Sequence, residues 1–306
     1  AEGVTLLKTA FSFDVSLYEI FSTLIAGAKL VIAEPEGQKD STYLTEIIQR
    51  ERVTTLFMVP SLLHILMEDK AFPNCTSLKD IFCTGEPLTV ALQQRFFARA
   101  PQSSLHNLYG PTEVSIECTH WDCERTPTRN IVPIGRPMAN YQIYILDEQF
   151  KPVPVGQVGE IFIGGIGLAR GYLNRPALTE EKFISMADCG LRIAESAKNP
   201  QSTIHNPKLY RTGDLGRWLP DGVIQCLGRI DFQVKIRGNR IELGEIETVL
   251  NSHPAVRESV VVAREDVPGD QRLVAYYLAE QPALPATSEL REHLKQKLPD
   301  YMVPSA

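Results

Sequence analysis

The sequence has no apolar run long enough to span a bilayer, which takes about 20 residues, and this excludes a helical membrane protein. It has no Cys-x-x-Cys pair. The six cysteines, Cys75, Cys83, Cys118, Cys123, Cys189 and Cys226, are scattered. Cys118, His120 and Cys123 lie close together, but two thiols and one imidazole leave a zinc site incomplete. Free thiols in a reducing cytoplasm are the expectation. Strong charge of either sign is also missing. A net charge of -6 over 306 residues argues against nucleic-acid binding, which needs a basic surface. The N-terminus, AEGVTLLKTAFSFDVS, lacks a basic leader, a small-residue cleavage site and an initiator Met. The expectation is a non-secreted segment of something longer. Internal repeats and low-complexity tracts are absent as well.

What is present is an ordinary globular composition, 43% hydrophobic and 22% charged, in a chain long enough for more than one domain. The first third alternates helix and strand signals. Leu44, Ile47 and Ile48 follow a cap at Ser41, and Thr54 to Val59 is a short strand ended by Pro60. Leu62, Leu63, Ile65 and Leu66 suggest a helix. Ser77 to Thr84 reads as strand, Leu88 to Ala100 as helix and Ser104 to Tyr109 as strand. Such alternation predicts a layered α/β sheet. From Ile131 to Leu227 the runs QIYILD, EIFI and Val223 to Leu227 are β-type and separated by Pro and Gly, which predicts an antiparallel, barrel-like subdomain. Ser185 to Lys208 is polar and reads as a surface excursion. A small α+β unit follows Asp231. Its strands fall near Ser259 to Ala263 and Leu273 to Leu278, its helices near Gly244 to Ser252 and Ser288 to Lys297, with Pro282 and Pro285 marking a loop.

The densest stretch is LGRIDFQVKIRGNRIELGEIE, Leu227 to Glu247. Phe232, Val234 and Ile236 alternate with Gln233, Lys235 and Arg237, as in a strand. Gly238-Asn239 is a two-residue hairpin signal, and Arg240 to Glu242 starts the return strand. Ile246, Val249 and Leu250 then recur at helical spacing.

Three other motifs carry possible chemistry. In NLYGPTE, Gly110-Pro111 makes a tight turn at the end of a strand, where α/β sheets place ligands. Tyr109 offers a flat face for a base, Thr112 a hydroxyl and Glu113 a hard oxygen for Mg²⁺. The plainer alternative is a junction in which Thr112 or Glu113 caps a helix. In YRTGDL, the Asp214 carboxylate suits the vicinal hydroxyls of a ribose, or accepts local backbone hydrogen bonds in a turn. The run GEIFIGGIGLARGYLNRP does not match a dinucleotide fingerprint and reads as a structural corner. Arg229 is either a cation for phosphate or, with Asp231, part of a surface ion pair at a domain junction.

In this order, FSFDVS, NLYGPTE, GEIFIGGIGLARGYL, YRTGDL, GRIDFQVKIRGNRIELGEIE and LPDYMVP resemble the adenylation domains of nonribosomal peptide synthetases over essentially the whole chain. The resemblance implies the adenylate-forming α/β fold. Residues 1–230 would be the C-terminal part of the large core, with an α/β layer over about 1–130 and a β-rich subdomain over about 131–230. Residues 231–306 would be a mobile lid. An amino acid and ATP, with Mg²⁺, would give an aminoacyl-adenylate. The acyl group would pass to the phosphopantetheine thiol of a peptidyl carrier protein, with a condensation domain in the same cytoplasmic megasynthase.

By the same resemblance, Tyr109 would stack on adenine, Asn107 would meet its amino edge, and Gly110 would complete that loop. Thr112 and Glu113 would serve phosphate and Mg²⁺. Asp214 would bind the ribose, and Arg229 the ribose and phosphate region. Asp231 would be the hinge, and Gly238 would lie where the carrier arm approaches. Asp14 would pair with the substrate α-ammonium. The pocket around it would be lined by Val15, Tyr18, Phe57 and Phe82, and by Thr84, Leu108, Ile116 and Glu117. Its apolar and aromatic character implies a large side chain. Glu117 either points to solvent or meets a donor at the end of that side chain.

The family's phosphate loop would precede residue 1, and its catalytic lysine would follow Ala306. A segment lacking both is expected to be poorly folded or inactive by itself. Two other readings stay open: an acyl-CoA ligase of the same superfamily, and a non-catalytic module that binds nucleotide or carrier protein.

Overall fold

A computed structural model of the protein describes residues 3–187, 208–267, 270–280 and 285–306. The chain divides into two compact units, Ala1–Ile230 and Asp231–Ala306.

The first unit opens with strands β1 (Val4–Leu7), β2 (Lys29–Ile32), β3 (Thr55–Met58), β4 (Asp80–Cys83) and β5 (Ser104–Tyr109), all parallel. Antiparallel β6 (Thr119–Asp122) and β7 (Arg136–Pro137) extend the sheet, in the order β2-β1-β3-β4-β5-β6-β7. Helices α1 (Val15–Ile25), α2 (Ser41–Glu51), α3 (Pro60–Glu68) and α4 (Val90–Arg99) connect the parallel strands. The chain leaves β1 for β2 on one side and returns to β3 on the other. The carboxyl ends of β1 and β3 therefore flank a switch point, where open α/β sheets bind ligands.

Helices α2, α3 and α4 bury apolar stripes such as Leu44, Ile47 and Ile48, Leu63 and Leu66, and Phe96 and Phe97 in one large core. The first helix is built the other way. It buries Ser16, Glu19 and Thr23 and leaves Phe21, Leu24 and Ile25 exposed. The cap of α2 is Asp40 rather than Ser41. The Asp40 carboxylate accepts hydrogen bonds from the Thr42 and Tyr43 amides, which a residue already inside the first turn cannot do.

The second sheet contains β8 (Tyr141–Leu146), β9 (Gly159–Gly165), β10 (Phe183–Ser185), β11 (Lys208–Trp218) and β12 (Ile224–Arg229), all antiparallel, with α5 (Pro176–Lys182) before β10. Register shifts within Arg211/Leu215 and Leu215/Gly216 interrupt β11, and such bulges bend and twist a strand. Ser185 and Lys208, the ends of the expected excursion, are themselves paired strand residues. Residues 188–207, Cys189 among them, lie outside the described residues, as does Pro282.

The second unit comprises β13 (Gln233–Ile236), β14 (Asn239–Glu242), α6 (Leu243–Asn251), β15 (Val256–Val267), β16 (Asp270–Ala279) and α7 (Thr287–Lys295). Ile241, Ile246, Leu250, Val261 and Leu294 form its core. Its hairpin differs from the sequence expectation by one residue. Ile236 pairs with Asn239, so the turn is Arg237-Gly238, with φ of 51° and 78°. Two positive φ values are what a two-residue type I′ turn requires. Asn239 begins the return strand, and its side-chain amide donates back to the Ile236 and Arg237 carbonyls, at 3.3 Å each. The expected alternation does not appear: Gln233 and Ile236 are buried, and Val234 and Lys235 between them are half-buried. Phe232 precedes the strand and is 83% exposed, while Gln233 is buried and donates its amide to Glu242.

Candidate active site

Three motifs far apart in sequence converge in the first unit. Tyr109 ends β5. Asp214 and Arg229 face each other across β11 and β12. The Tyr109 hydroxyl donates to Asp214 Oδ2 at 2.6 Å, and Arg229 Nη1 donates to Asp214 Oδ1 at 2.9 Å. Arg229 Nη2 also donates to the Thr212 carbonyl at 3.1 Å, and the Thr212 hydroxyl accepts from the Asp214 amide at 2.9 Å. Asp214 is therefore a strand residue with both oxygens engaged, not a turn aspartate. Burial first, and then the Asp214 charge, push the Tyr109 phenol well above its usual range. Asn107, two strand positions earlier and so on the same face, is buried and donates its amide to the Pro133 carbonyl at 2.8 Å.

Beyond Tyr109 the chain folds tightly on itself. A Cβ on Gly110 would sit 2.2 Å from the Ile116 carbonyl oxygen, so no side chain fits there. Thr112 to Val114 is a single 3₁₀ turn without a side-chain cap, so capping is not the role of Thr112 or Glu113. The Thr112 hydroxyl instead donates to Asp14 Oδ2 at 2.5 Å. Glu113 is buried, and its Oε1 accepts from the Tyr172 hydroxyl at 2.6 Å. Ser115 and Ile116 follow with φ of 64° and 83°. A positive φ is a strained conformation for a β-branched residue, of the kind that collects at functional sites.

Asp14 precedes α1 in the loop from the carboxyl end of β1, at the switch point. Its carboxylate caps none of the helix amides. Val15 and Tyr18 lie on the first turns of α1 and are half-buried. Tyr18 meets Phe57 at 5.6 Å between ring centroids, Phe57 stacks on Phe82 at 4.9 Å, and Phe82 stacks on His106 at 4.6 Å. Strand register produces this row, since Phe57, Phe82 and His106 are neighbours across β3, β4 and β5. Thr84 and Leu108 are buried beside it. The solvent-pointing alternative for Glu117 is overturned. Glu117 is 3% exposed, and its carboxylate accepts a hydrogen bond from the Thr84 hydroxyl. Burial, with the Glu117 charge adding to it, pushes the Tyr18 phenol up.

Sequence reasoning missed a supporting set. The Gly-rich run is more than a corner, because it packs on the loop that carries Thr112 and Glu113. The Ala169 amide donates to the Glu113 carbonyl at 2.8 Å, and the Ser115 hydroxyl to the Gly167 carbonyl at 2.6 Å. A Cβ on Gly167 would lie 2.0 Å from the Tyr141 hydroxyl oxygen. Glu160 pairs with Arg211, both carboxylate oxygens 3.0 Å from Nε, and accepts the Gly213 amide at 3.1 Å. These contacts hold the strand that presents Asp214. The Glu160 and Tyr172 roles had no signal except their position inside motifs already singled out.

Among the described residues no three His, Cys, Asp or Glu side chains are grouped to hold a metal. One buried carboxylate at Glu113 still suits Mg²⁺, which takes one or two protein carboxylates and fills its shell with phosphates and water. Asp231 begins the second unit, where its carboxylate accepts the Gln233 amide at 3.2 Å, and Gly238 occupies the hairpin turn. No helix among the described residues is long and apolar enough to cross a membrane.

The profile of the family described as AMP-binding enzyme matches residues 1–173, and that of the AMP-binding enzyme C-terminal domain matches 245–306. Tyrocidine synthase 3 of Brevibacillus parabrevis is 48% identical over 305 residues, covering 100% of this chain and 4% of that protein. Phosphinothricin tripeptide synthetase PhsB of Streptomyces viridochromogenes is 46% identical over 308 residues, covering 99% of this chain and 24% of its own length. The chain thus spans a small part of these relatives. Among solved structures, the Vibrio cholerae adenylation domain AlmE in complex with glycyl-adenosine-5'-phosphate superposes with a TM-score of 0.84 at 28% identity, over 100% of this chain and 55% of that one. The fused adenylation-PCP di-domain NpsA-ThdA from Klebsiella oxytoca gives 0.82 at 28% identity, over 99% and 53%.

Proposed function

The chain belongs to the AMP-binding enzyme family and has its adenylate-forming fold, and on that premise we propose that it activates an amino acid as an aminoacyl-adenylate within a peptide synthetase. The 2.5 Å contact between Thr112 and Asp14 carries this reading. It puts a carboxylate fit for an α-ammonium beside the hydroxyl that serves the phosphates. A fatty acid would have no use for a carboxylate there, so the contact disfavours the acyl-CoA alternative. The complex of AlmE with glycyl-adenosine-5'-phosphate supports the same chemistry.

In this reading the substrate carboxylate attacks the α-phosphorus of ATP, and the bond to the β-phosphate breaks to release pyrophosphate. Tyr109 stacks on adenine with Asn107 beside it, and Gly110 lets the loop close behind them. Asp214 exchanges part of its present bonding for the ribose hydroxyls, and Arg229 draws the ribose and phosphate region inward. Thr112 holds the phosphate side in register with Asp14. Glu113 would supply a carboxylate oxygen to Mg²⁺, whose charge would offset that of the triphosphate. In the second half-reaction the phosphopantetheine thiol of a carrier protein attacks the acyl carbon and AMP departs. Asp231 acts as the hinge for this step, and Gly238 leaves room for the arm. A condensation domain completes the partners, in the cytoplasm.

The row Tyr18, Phe57 and Phe82, with buried Glu117, favours a large side chain ending in a hydrogen-bond donor or cation. Val15, Thr84, Leu108 and Ile116 complete that wall. The test is amino-acid-dependent exchange of pyrophosphate into ATP by the full-length gene product, across the proteinogenic amino acids. Exchange stimulated by arginine, lysine or tyrosine is expected. Preference for small aliphatic amino acids overturns the pocket reading, and stimulation by fatty acids alone overturns amino-acid activation.

A further inference from the structure

Lys8 and Glu19 have no part in the reaction above, yet they are the least exposed ion pair described, at 4% and 0%, with Nζ 3.6 Å from Oε1. Lys8 follows the last residue of β1, and Glu19 lies on the sheet-facing side of α1. The Lys8 and Thr9 amides donate to Glu19 Oε2 at 3.2 and 3.1 Å. The Thr9 hydroxyl donates to Oε1 at 2.8 Å and accepts from Lys8 Nζ at 3.3 Å. Burial pushes the carboxyl up and the ammonium down, and their mutual attraction opposes both shifts.

Within the segment that follows, the Phe13 amide donates to the Ala10 carbonyl at 2.9 Å. Ala10, Phe11, Ser12 and Phe13 are exposed, Phe11 at 78%. Its far end is tied by the Ser16 amide and hydroxyl, which donate to the Phe13 carbonyl at 3.1 and 2.7 Å. Asp14 comes next, immediately before the helix whose start Glu19 fixes against β1. An apolar residue at 19 would leave two backbone amides without an acceptor. A lone glutamine there would leave Lys8 without a counter-charge.

We propose that Glu19, with Lys8 as counter-ion, is a positioning residue that pins α1 to the end of β1 and so holds Asp14 where it meets the substrate ammonium. This rests on the amino-acid reading of the site. A shift of the helix start moves Asp14 directly, while Tyr109, Asp214 and Arg229 sit on other elements.

The test compares three variants of the full-length protein by pyrophosphate exchange. Wild-type exchange that depends on an amino acid upholds the reading on which the proposal rests, before any variant is made. K8M/E19L removes charges and acceptors together. K8M/E19Q removes the charges but keeps an oxygen for the two amides. T9V removes one hydroxyl and is the mildest. In K8M/E19L the KM for the amino acid should rise about tenfold or more while the KM for ATP stays within about twofold. K8M/E19Q should recover most of the loss, and T9V should show about a threefold rise. Hydrogen exchange in T9V should quicken over residues 10–17 and be unchanged elsewhere. Equal changes in both KM values, an unmoved amino-acid KM, or unmoved exchange over 10–17 in T9V overturns the proposal. If K8M/E19L does not fold, K8M/E19Q and T9V decide by the same criteria.

Discussion

Tyr109, Asp214 and Arg229 are bonded to one another before any ligand arrives, whereas Tyr18, Phe57 and Phe82 meet through ring contacts. The first set would bind by exchange. Ribose hydroxyls replace hydrogen bonds that already exist, so the net gain per bond is small, about 1 kcal/mol. What such a set provides is orientation, because each donor and acceptor has a direction fixed by its neighbours. The second set offers area and shape, which discriminate weakly between side chains of similar size. In the proposed reading its selectivity would fall on a few polar groups: Thr84 and Glu117, bonded to each other, and Asp14, bonded to Thr112. The comparison teaches that, in the proposed reading, the half that would bind nucleotide is polar and bonded within itself, while the half that would bind the acyl substrate is an aromatic wall with isolated polar points.

Removing one of those points should have the largest effect. In Asp14→Ala the substrate ammonium would lose its partner; Asp14 is half-buried, a bound substrate would cover it, and truncating one side of a charge pair so covered costs about 2–5 kcal/mol. Amino-acid-dependent exchange should fall about 100-fold through the amino-acid KM, with ATP affinity by calorimetry nearly unchanged. A matching fall in ATP affinity would mean that the two halves are one unit, joined through Thr112.

Asp214→Ala attacks the other half and ranks second. It strips Tyr109 and Arg229 of a shared acceptor, with Arg229 and Asp214 exposed at only 16% and 14%. The KM for ATP should rise about tenfold with the amino-acid KM steady, and unfolding should become easier by about 2 kcal/mol. Parallel ATP and amino-acid titrations, with a denaturant melt, measure both parts. An unchanged ATP KM with lost stability would make the cluster structural only.

The site was legible in the sequence only in part. The strands around Tyr109 could be placed because their apolar runs are short and end at Pro or Gly. Ser104 to Tyr109 matches β5 residue for residue. The motif residues could be named, but their partners could not. Tyr109 and Asp214 are 105 residues apart, and nothing local to either encodes the pairing, which the second sheet creates by bringing Asp214 of β11 within reach of the last residue of β5. Glu19 was invisible for a related reason. A glutamate among Ile20, Phe21 and Leu17 reads as the solvent face of an amphipathic helix, and α1 inverts that pattern. The hairpin lies one residue from the expected place, with Arg237 and Gly238 taking the two positive φ values and the Asn239 side chain bonded back to the Ile236 carbonyl.

A smaller effect sharpens the acyl half. Glu117→Gln keeps the size of the side chain and an oxygen for the Thr84 hydroxyl but removes the charge. For a substrate ending in a cation, kcat/KM should fall about tenfold, and for one ending in a neutral donor about twofold. The ratio of the two, read from competition between arginine and tyrosine, is the measurement. Equal losses would place Glu117 outside substrate contact and leave it as a support for Thr84.

The smallest expected effect separates the halves by pH. Burial and the Asp214 charge raise the Tyr109 phenol well above 10, its ordinary value, and burial with the bond to Glu113 raises Tyr172 in the same direction. Below pH 10 both phenols are protonated whether the chain is folded or not, so their contribution to stability is fully present. As pH climbs past 10 the unfolded phenols ionise while the folded ones keep their protons. The folded state then binds more protons, and stability falls with rising pH. Each such phenol steepens that fall by at most about 1.4 kcal/mol per pH unit. Tyr109→Phe should therefore flatten the decline above pH 10 by about one proton's worth, measured by denaturant melts between about pH 9 and 11. Tyr18→Phe, on the half-buried acyl side, should flatten it less. An equal flattening by the two would mean that the ring wall shields its phenol as fully as the bonded cluster does.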